Sequence, residues 1–354
     1  MNLIDKLESG GRLSYEEGVA LYELDLFTLG HYANLKRRQR HGNKAFFNIN
    51  RHINPTNICK DICKFCAFSA NRKNPNPYTM SHDEILTILE NSVQNKGITE
   101  VHIVSAHNPD TGLEWYLEIF SKVKARFPSL HVKALTAAEI NFLSEQYGLS
   151  VDDIIVKMIE YGVDSMPGGG AEIFDEEVRA YICKGKVSSQ GWLDIHQKWH
   201  EKGKQSNATM LFGHVEKREH RIDHMIRLRE LQDKTGGFNA FIPLVYQREN
   251  NYLHVEDFLS STEILKTYAI SRLMCDNIAH IKAYWATSTI NLALVALEYG
   301  ADDLDGTIEA EAIQSAAGAS SAKGLSLETF LELIETSNFT PVQRDSLYNE
   351  IKTY

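Results

Sequence analysis

Three cysteines in one short stretch carry the first chemical signal in this chain. Residues 54–68 read Asn-Pro-Thr-Asn-Ile-Cys-Lys-Asp-Ile-Cys-Lys-Phe-Cys-Ala-Phe, which puts Cys59, Cys63 and Cys66 in a Cys-x3-Cys-x2-Cys run with Phe65 directly before the third. Thiolates are soft ligands that suit zinc or iron–sulfur clusters. Three of them neither close a tetrahedral zinc site nor fill every corner of a 4Fe–4S cube. One iron of such a cube would keep an open position, where chemistry can happen. His52 is near enough in sequence to offer a fourth zinc ligand, but zinc modules carry paired ligand knuckles and no second cysteine pair follows. A disulfide suits the run poorly, because three thiols pair unevenly and five cysteines in 354 residues fit a reducing compartment. Cys183 and Cys275 stand alone and read as buried thiols.

The elements that must hold this loop alternate between strand and helix. Residues 1–42 read as helices, with Ser14-x-x-Glu17 a capping-box pattern and a second helix from about Leu26 to Arg40. From Lys44 the pattern changes. Strands are expected at 45–49, 101–104, 132–135, 163–166, 208–212, 240–244, 279–283 and, weakly, 302–305. Ser81-x-x-Glu84 and Thr136-x-x-Glu139 mark the starts of two intervening helices. Repeated βα units imply a parallel sheet. Eight units suit an α/β fold closed as a TIM-type (βα)8 barrel; six in a partial barrel is the alternative, because the last two strands are short. The expected organisation is an N-terminal helical cap over 1–43, a barrel over 44–320, and C-terminal helices over 321–354 packed on it, two of them within 325–352.

A barrel places its active residues where strands finish. His52 and the cysteines follow the first strand, and Ser105 and His107 the second. Gly168, Gly169, Gly170 and Glu172 follow the fourth, His214 the fifth and Arg248 the sixth; Lys282 ends the seventh and Asp305 the eighth. The glycine run either forms a simple turn or lets backbone approach a ligand closely. It lacks the Gly-x-Gly-x-x-Gly spacing of a dinucleotide loop. Glu172 is either a solvated carboxylate or an acceptor for ribose hydroxyls.

Composition bounds the function class. The chain is 43% hydrophobic with a formal net charge of -10, which argues against a nucleic-acid surface. Its one basic run, Lys36-Arg37-Arg38-Gln39-Arg40, reads as the solvated end of a helix. No apolar stretch is long enough to span a bilayer, and the first residues have no apolar signal segment, so a cytoplasmic location with no membrane partner is expected.

The cysteine spacing, with an aromatic before the third cysteine, resembles the signature of the radical S-adenosylmethionine (SAM) superfamily. Pro167-Gly168-Gly169-Gly170-Ala171-Glu172-Ile173-Phe174 is similar to a motif of the radical SAM enzymes of futalosine-dependent menaquinone biosynthesis and of deazaflavin biosynthesis. Residues 209–216 (Thr-Met-Leu-Phe-Gly-His-Val-Glu), 228–243 and 300–307 (Gly-Ala-Asp-Asp-Leu-Asp-Gly-Thr) narrow the likeness to the aminofutalosine synthases. The likeness spans about residues 45–320. One departure stands out: Ser105-Ala106 replaces a Gly-Gly pair that members of the family often carry.

The resemblance implies a 4Fe–4S cluster on Cys59, Cys63 and Cys66, with SAM chelating the fourth iron and consumed as a substrate. It implies SAM contacts from Phe65, Phe68, Ser105, His107, Gly168, Gly169, Gly170 and Glu172; placement near a strand end makes Arg179 a candidate for the SAM carboxylate. The implied reaction adds the 5′-deoxyadenosyl radical to 3-[(1-carboxyvinyl)oxy]benzoate, with aryl migration and loss of a carboxyl group, giving 6-amino-6-deoxyfutalosine. That substrate is a dicarboxylate in an acidic protein, so it needs local donors. His52, His214, Arg248 and Lys282 are the candidates, and Asp305 either binds adenosyl or substrate or caps the following helix. The implied partners are an electron donor such as flavodoxin or ferredoxin and, at most, a second copy of the chain. The sister cyclase, a deazaflavin-type synthase, and a non-catalytic iron–sulfur protein are the alternative readings.

Overall fold

A computed structural model describes residues 2–308, 312–319 and 324–354. Ten strands are described: β1 Lys44–Asn48, β2 Asn50–Ile53, β3 Glu100–Ile103, β4 His131–Ala134, β5 Ser206–Phe212, β6 Phe238–Val245, β7 His280–Ile281, β8 Asp303–Gly306, β9 Thr340–Arg344 and β10 Glu350–Thr353. β1 and β2 are two halves of one barrel strand, interrupted at Ile49. The upper half pairs in parallel with β3, and β3 with β4. Lys133 then bridges to Ser165, and Met166 to Ser206, so residues 165–166 serve as the fourth strand. β5 pairs with β6 and β6 with β7. Lys282 bridges to Asp303, and β8 returns to β1 at Phe46 and Asn48. Eight parallel strands therefore close into a ring, and the partial-barrel alternative falls.

Local sequence explains the helices around this ring. Ser14, Ser81 and Thr136 each accept from the backbone three residues on, while Glu17, Glu84 and Glu139 reach back to the cap amide. These reciprocal bonds satisfy orphan N–H groups at the helix starts. Helix Leu113–Arg126 buries Tyr116, Phe120 and Val123, the face that its 3.6-residue spacing predicts. The N-terminal helices lie outside the barrel, and Leu26–His41 packs along Ser261–Met274. Close approach of the helix and the loop before β8 needs small residues there. A Cβ at Gly30 would sit 2.5 Å from the Tyr299 ring, and one at Gly300 3.1 Å from Ala33. The basic run on this helix is not wholly solvated: Arg37 is fully buried and donates to the Asn34 side chain and the Gly42 carbonyl.

The C-terminal region corrects the expectation of two closing helices over 325–352. A single helix, Leu327–Thr336, is followed by β9 and β10. Ser326 caps the helix and Phe330 and Ile334 are its buried face. Asn338, with φ of 62°, then turns the chain out of helix. β9 lies parallel to β1, Lys44 opposite Thr340, where the lower half of the first barrel strand has no bond to β3. β10 folds back antiparallel on β9. The loop after β9 reaches under the barrel: Asn239 donates to the Ser346 carbonyl, and Tyr348 stacks on His280 with centroids 3.7 Å apart. The domain boundary expected at 320–321 lies outside the described residues.

Two predictions follow from packing. Arg344 and Asp303 form a buried ion pair, with side chains 1% and 0% exposed. Removing one partner strands a charge out of water, so Arg344→Ala should lower unfolding stability by about 3–5 kcal/mol. Urea unfolding midpoints check this, and a loss under about 1 kcal/mol would contradict the account. Burial also pushes His200 down to about 4 and His224 down to about 3. Both imidazoles stay neutral in the fold and take up protons first in the unfolded chain, whose value is near 6.5. Stability is therefore full above about pH 6.5 and falls as pH drops toward 4. Urea midpoints at pH 7 and pH 5 should separate, and His224→Gln should narrow the gap.

Candidate active site

The ends of the strands open into a cavity of about 300 Å³ that reaches from the cysteine loop down into the barrel. Cys59, Cys63 and Cys66 all line it, and each is partly exposed. Neighbouring loops shape the cysteine loop. The Lys60 amide donates to the His107 carbonyl at 3.0 Å, the Lys64 amide to Ile182 at 2.7 Å, and Tyr252 to the Lys64 carbonyl at 2.6 Å. The His107 amide points at the Cys59 sulfur, 3.4 Å away. Its ring stacks on Phe142 and its Nδ1 lies 2.8 Å from Asp61. Burial disfavours the Asp61 carboxylate, but the His107 hydrogen bond and charge outweigh it and hold Asp61 below its usual range.

The donor set fits a cluster better than a single ion. Zinc–thiolate bonds of about 2.3 Å put tetrahedral sulfurs ~3.8 Å apart. Among the described residues, the one group of three His, Cys, Asp or Glu ligand atoms mutually within 4.8 Å is His41, His280 and Asp302, on the far side of β7 and β8. The three thiols are spread more widely than one ion would allow. Burial pushes the Cys59 thiol up and the Cys63 thiol well up. Both favour the protonated form until a metal displaces the proton.

The glycine run is explained by its neighbours. A Cβ at Gly168 would come within 2.7 Å of the Asn207 carbonyl oxygen, and one at Gly170 within 2.8 Å of Ala138, with Gly170 at φ 88°. Each glycine carbonyl has a protein donor. Thr209 Oγ1 bonds Gly168 at 2.6 Å, Trp192 Nε1 bonds Gly169 at 3.2 Å, and Arg179 bonds Gly170 at 3.3 Å. Arg179 also donates to the carbonyls of Ala171, Ile173 and Val187. Its guanidinium is thus spent on backbone, which corrects its expected role at the SAM carboxylate. Glu172 does line the cavity, at φ 49°, and meets Lys186 at 2.6 Å. Burial opposes the charge on Lys186, yet the Glu172 carboxylate beside it holds its pKa well above the usual value.

Other expected residues divide cleanly. Phe65, Phe68, Ser105, His52, Lys282 and Asp305 all line the cavity. Ser105 is oriented through its amide, which donates to Glu139 at 2.8 Å. His214 and Arg248 are not in that lining. His214 donates from Nε2 to the Leu211 carbonyl at 3.0 Å and its Nδ1 lies 3.2 Å from Glu216, so it braces the turn after β5. Arg248 donates to the carbonyls of Val255 and Glu256 and covers the Phe258 ring at 4.0 Å, which ties it to its own loop. Sequence reasoning missed Glu100, His102, Lys133 and Lys186, all of which line the cavity. The first three are polar residues within short strands, and their inward register was the available signal. Burial, with His52 and Lys133 beside it, pushes His102 down to about 3, so its imidazole is neutral.

Residues 53–228 match the radical SAM superfamily, and residues 235–353 match the CofH/MqnC C-terminal region. The chain belongs to the radical SAM superfamily. It is 42% identical to aminodeoxyfutalosine synthase of Thermus thermophilus, over 99% of this chain and 96% of that one. It is 37% identical to cyclic dehypoxanthine futalosine synthase of Streptomyces coelicolor, over 99% of this chain and 88% of that one. In fold it resembles methylornithine synthase, with a TM-score of 0.77 at 18% identity, covering 96% and 97% of the two chains. As a radical SAM enzyme of transferase type it uses a 4Fe–4S cluster and SAM, and the three-thiol loop is the fitting place for the cluster. No helix among the described residues is long and apolar enough to cross a membrane.

Arg179 holds the glycine loop from outside the cavity lining, so if that loop meets SAM, Arg179→Ala should weaken SAM binding at least about tenfold and leave iron content unchanged. Equilibrium SAM binding and iron analysis on the reconstituted protein check this. Unaltered SAM affinity would remove the loop from the SAM site.

Proposed function

We propose that this radical SAM enzyme is an aminofutalosine synthase. Its reaction would add the 5′-deoxyadenosyl group of SAM to 3-[(1-carboxyvinyl)oxy]benzoate, with aryl migration and loss of a carboxyl group, to give 6-amino-6-deoxyfutalosine for menaquinone biosynthesis. The observation that carries this reading is the 42% identity to aminodeoxyfutalosine synthase across nearly the whole of both chains. The 37% identity to cyclic dehypoxanthine futalosine synthase supports a second reading on the same scaffold.

When bound, the cluster and SAM supply a primary 5′-deoxyadenosyl carbon radical at the mouth of the barrel. The chain must position the partner and keep other reactants away. Cys59, Cys63 and Cys66 would hold the cluster, and Glu172, fixed by Lys186, would accept hydrogen bonds from ribose hydroxyls. The glycine loop, clamped by Arg179, would set the height at which the adenosyl group lies. Apolar walls at Ala106, Ile242 and Leu244 would exclude water from the reacting carbons. Lys282 and His52 would supply donors to the anionic substrate. The electron would come from a small carrier of the flavodoxin or ferredoxin kind.

Anaerobic reconstitution with iron and sulfide, reduction, and addition of SAM with the enolpyruvyl ether of 3-hydroxybenzoate test the reading. Mass spectrometry should find the adenosyl adduct, and Cys63→Ala should abolish both cluster and adduct. Release of 5′-deoxyadenosine and methionine without adduct would favour the cyclase reading. Absence of SAM cleavage at verified iron content would favour a non-catalytic iron–sulfur protein.

A further inference from the structure

The floor of the cavity holds two buried lysines. Lys133, on β4, donates to Glu100 at 2.6 Å, and Lys282, just after β7, donates to Asp305. Their side chains are 5% and 3% exposed. An ammonium carries three N–H donors. Among the described residues each lysine has one carboxylate acceptor. Donors not turned to these carboxylates are available to an acceptor that enters the cavity. Both lysines line the same cavity, and Lys282 is near enough to press on the charge of Lys133. Glu100 and Asp305 balance the two cations before any ligand arrives. Each ammonium is still a charged donor, and a charge-assisted hydrogen bond to a carboxylate is stronger than one to a neutral amide.

We propose that Lys133 and Lys282 together form a carboxylate subsite on the floor of the barrel, and that it takes the ring carboxylate of the aryl enol ether. The assignment of that ligand rests on the synthase reading. Direction follows from the reaction. The alkene must meet the adenosyl carbon beneath the cysteine loop, at the mouth, and its own carboxylate is attached beside it. The ring carboxylate is the far end of the molecule and points down the lumen. Between mouth and floor, Ile242 and Leu244 on β6 offer an apolar wall for the ring. Neutral His102, against His52 at 4.8 Å between centroids, adds polar contact without a competing charge.

The subsite is tested in the reconstituted holoenzyme with 3-hydroxybenzoate and its uncharged analogue 3-hydroxybenzamide as probes, by isothermal calorimetry. Paired variants avoid stranding a buried carboxylate: Lys133→Met with Glu100→Gln, and Lys282→Met with Asp305→Asn. Each should bind 3-hydroxybenzoate at least tenfold more weakly, with a clearly smaller loss for 3-hydroxybenzamide, whose carbonyl can accept only a neutral hydrogen bond. If one pair fails to fold or to load iron, the other decides. Unchanged benzoate affinity, or equal weakening of benzoate and benzamide, would overturn the subsite. Adduct formation assayed in parallel separates the two readings. Lysine-dependent benzoate binding without adduct would keep the subsite and remove the synthase reading, and adduct with lysine-independent binding would do the reverse.

Discussion

Closure of the ring turns on β8, a four-residue strand whose segment carries three carboxylates, each answered by a cation from elsewhere. Asp302 takes Arg272 from the helix before β7, together with His280 of β7. Asp303 takes Arg344 from the end of β9, and Asp305 takes Lys282 from the end of β7. All three carboxylates are buried, so each would be a liability without its partner. The backbone at this seam is thin: one bridge joins β7 to β8, at Lys282 and Asp303. Side-chain charge pairing therefore ties together elements that the ladder joins weakly, and it specifies which ones meet.

The same economy governs the mouth. Function here sits on loops, and a loop placing a cluster must be held by something other than its own hydrogen bonds. The cysteine loop is bonded to the segments at 107, 182 and 252, which follow three different strands. The glycine loop is held by Arg179, whose planar fork reaches several carbonyls at once in a way lysine could not. Arg179 and His107 therefore act on geometry, and the cavity keeps Lys186, Lys282 and Lys133 for charge. Each of these lysines has a carboxylate beside it in the same lining, Glu172 for Lys186, Glu100 for Lys133 and Asp305 for Lys282.

The β9–β10 hairpin has a parallel role at the other end. The first barrel strand splits at Ile49: its upper half bonds β3, and its lower half bonds β9. The loop after β9 then brings Arg344, Ser346 and Tyr348 against β8, β6 and β7. That packing covers the lower end of the barrel, opposite the cysteine loop.

The sequence by itself determined the strand–helix alternation, the capping boxes at Ser14, Ser81 and Thr136, the cysteine motif and the approximate end of each barrel strand but the first, which runs on through His52 to Ile53. These are local properties, set by residue spacing and by side chains that bond within four positions of themselves. It did not determine which strand-end cations face the lumen. Arg248 and Arg179 look like ligand-binding residues by position, yet their guanidinium groups are taken by nearby carbonyls that only the folded loops present. Lys133 and His102 look like ordinary strand residues until the pleat of a closed barrel points them inward. The C-terminal hairpin was hidden for the same reason. Residues 340–344 become a strand because the split in the first barrel strand leaves an open edge, and an open edge exists only once the barrel has formed.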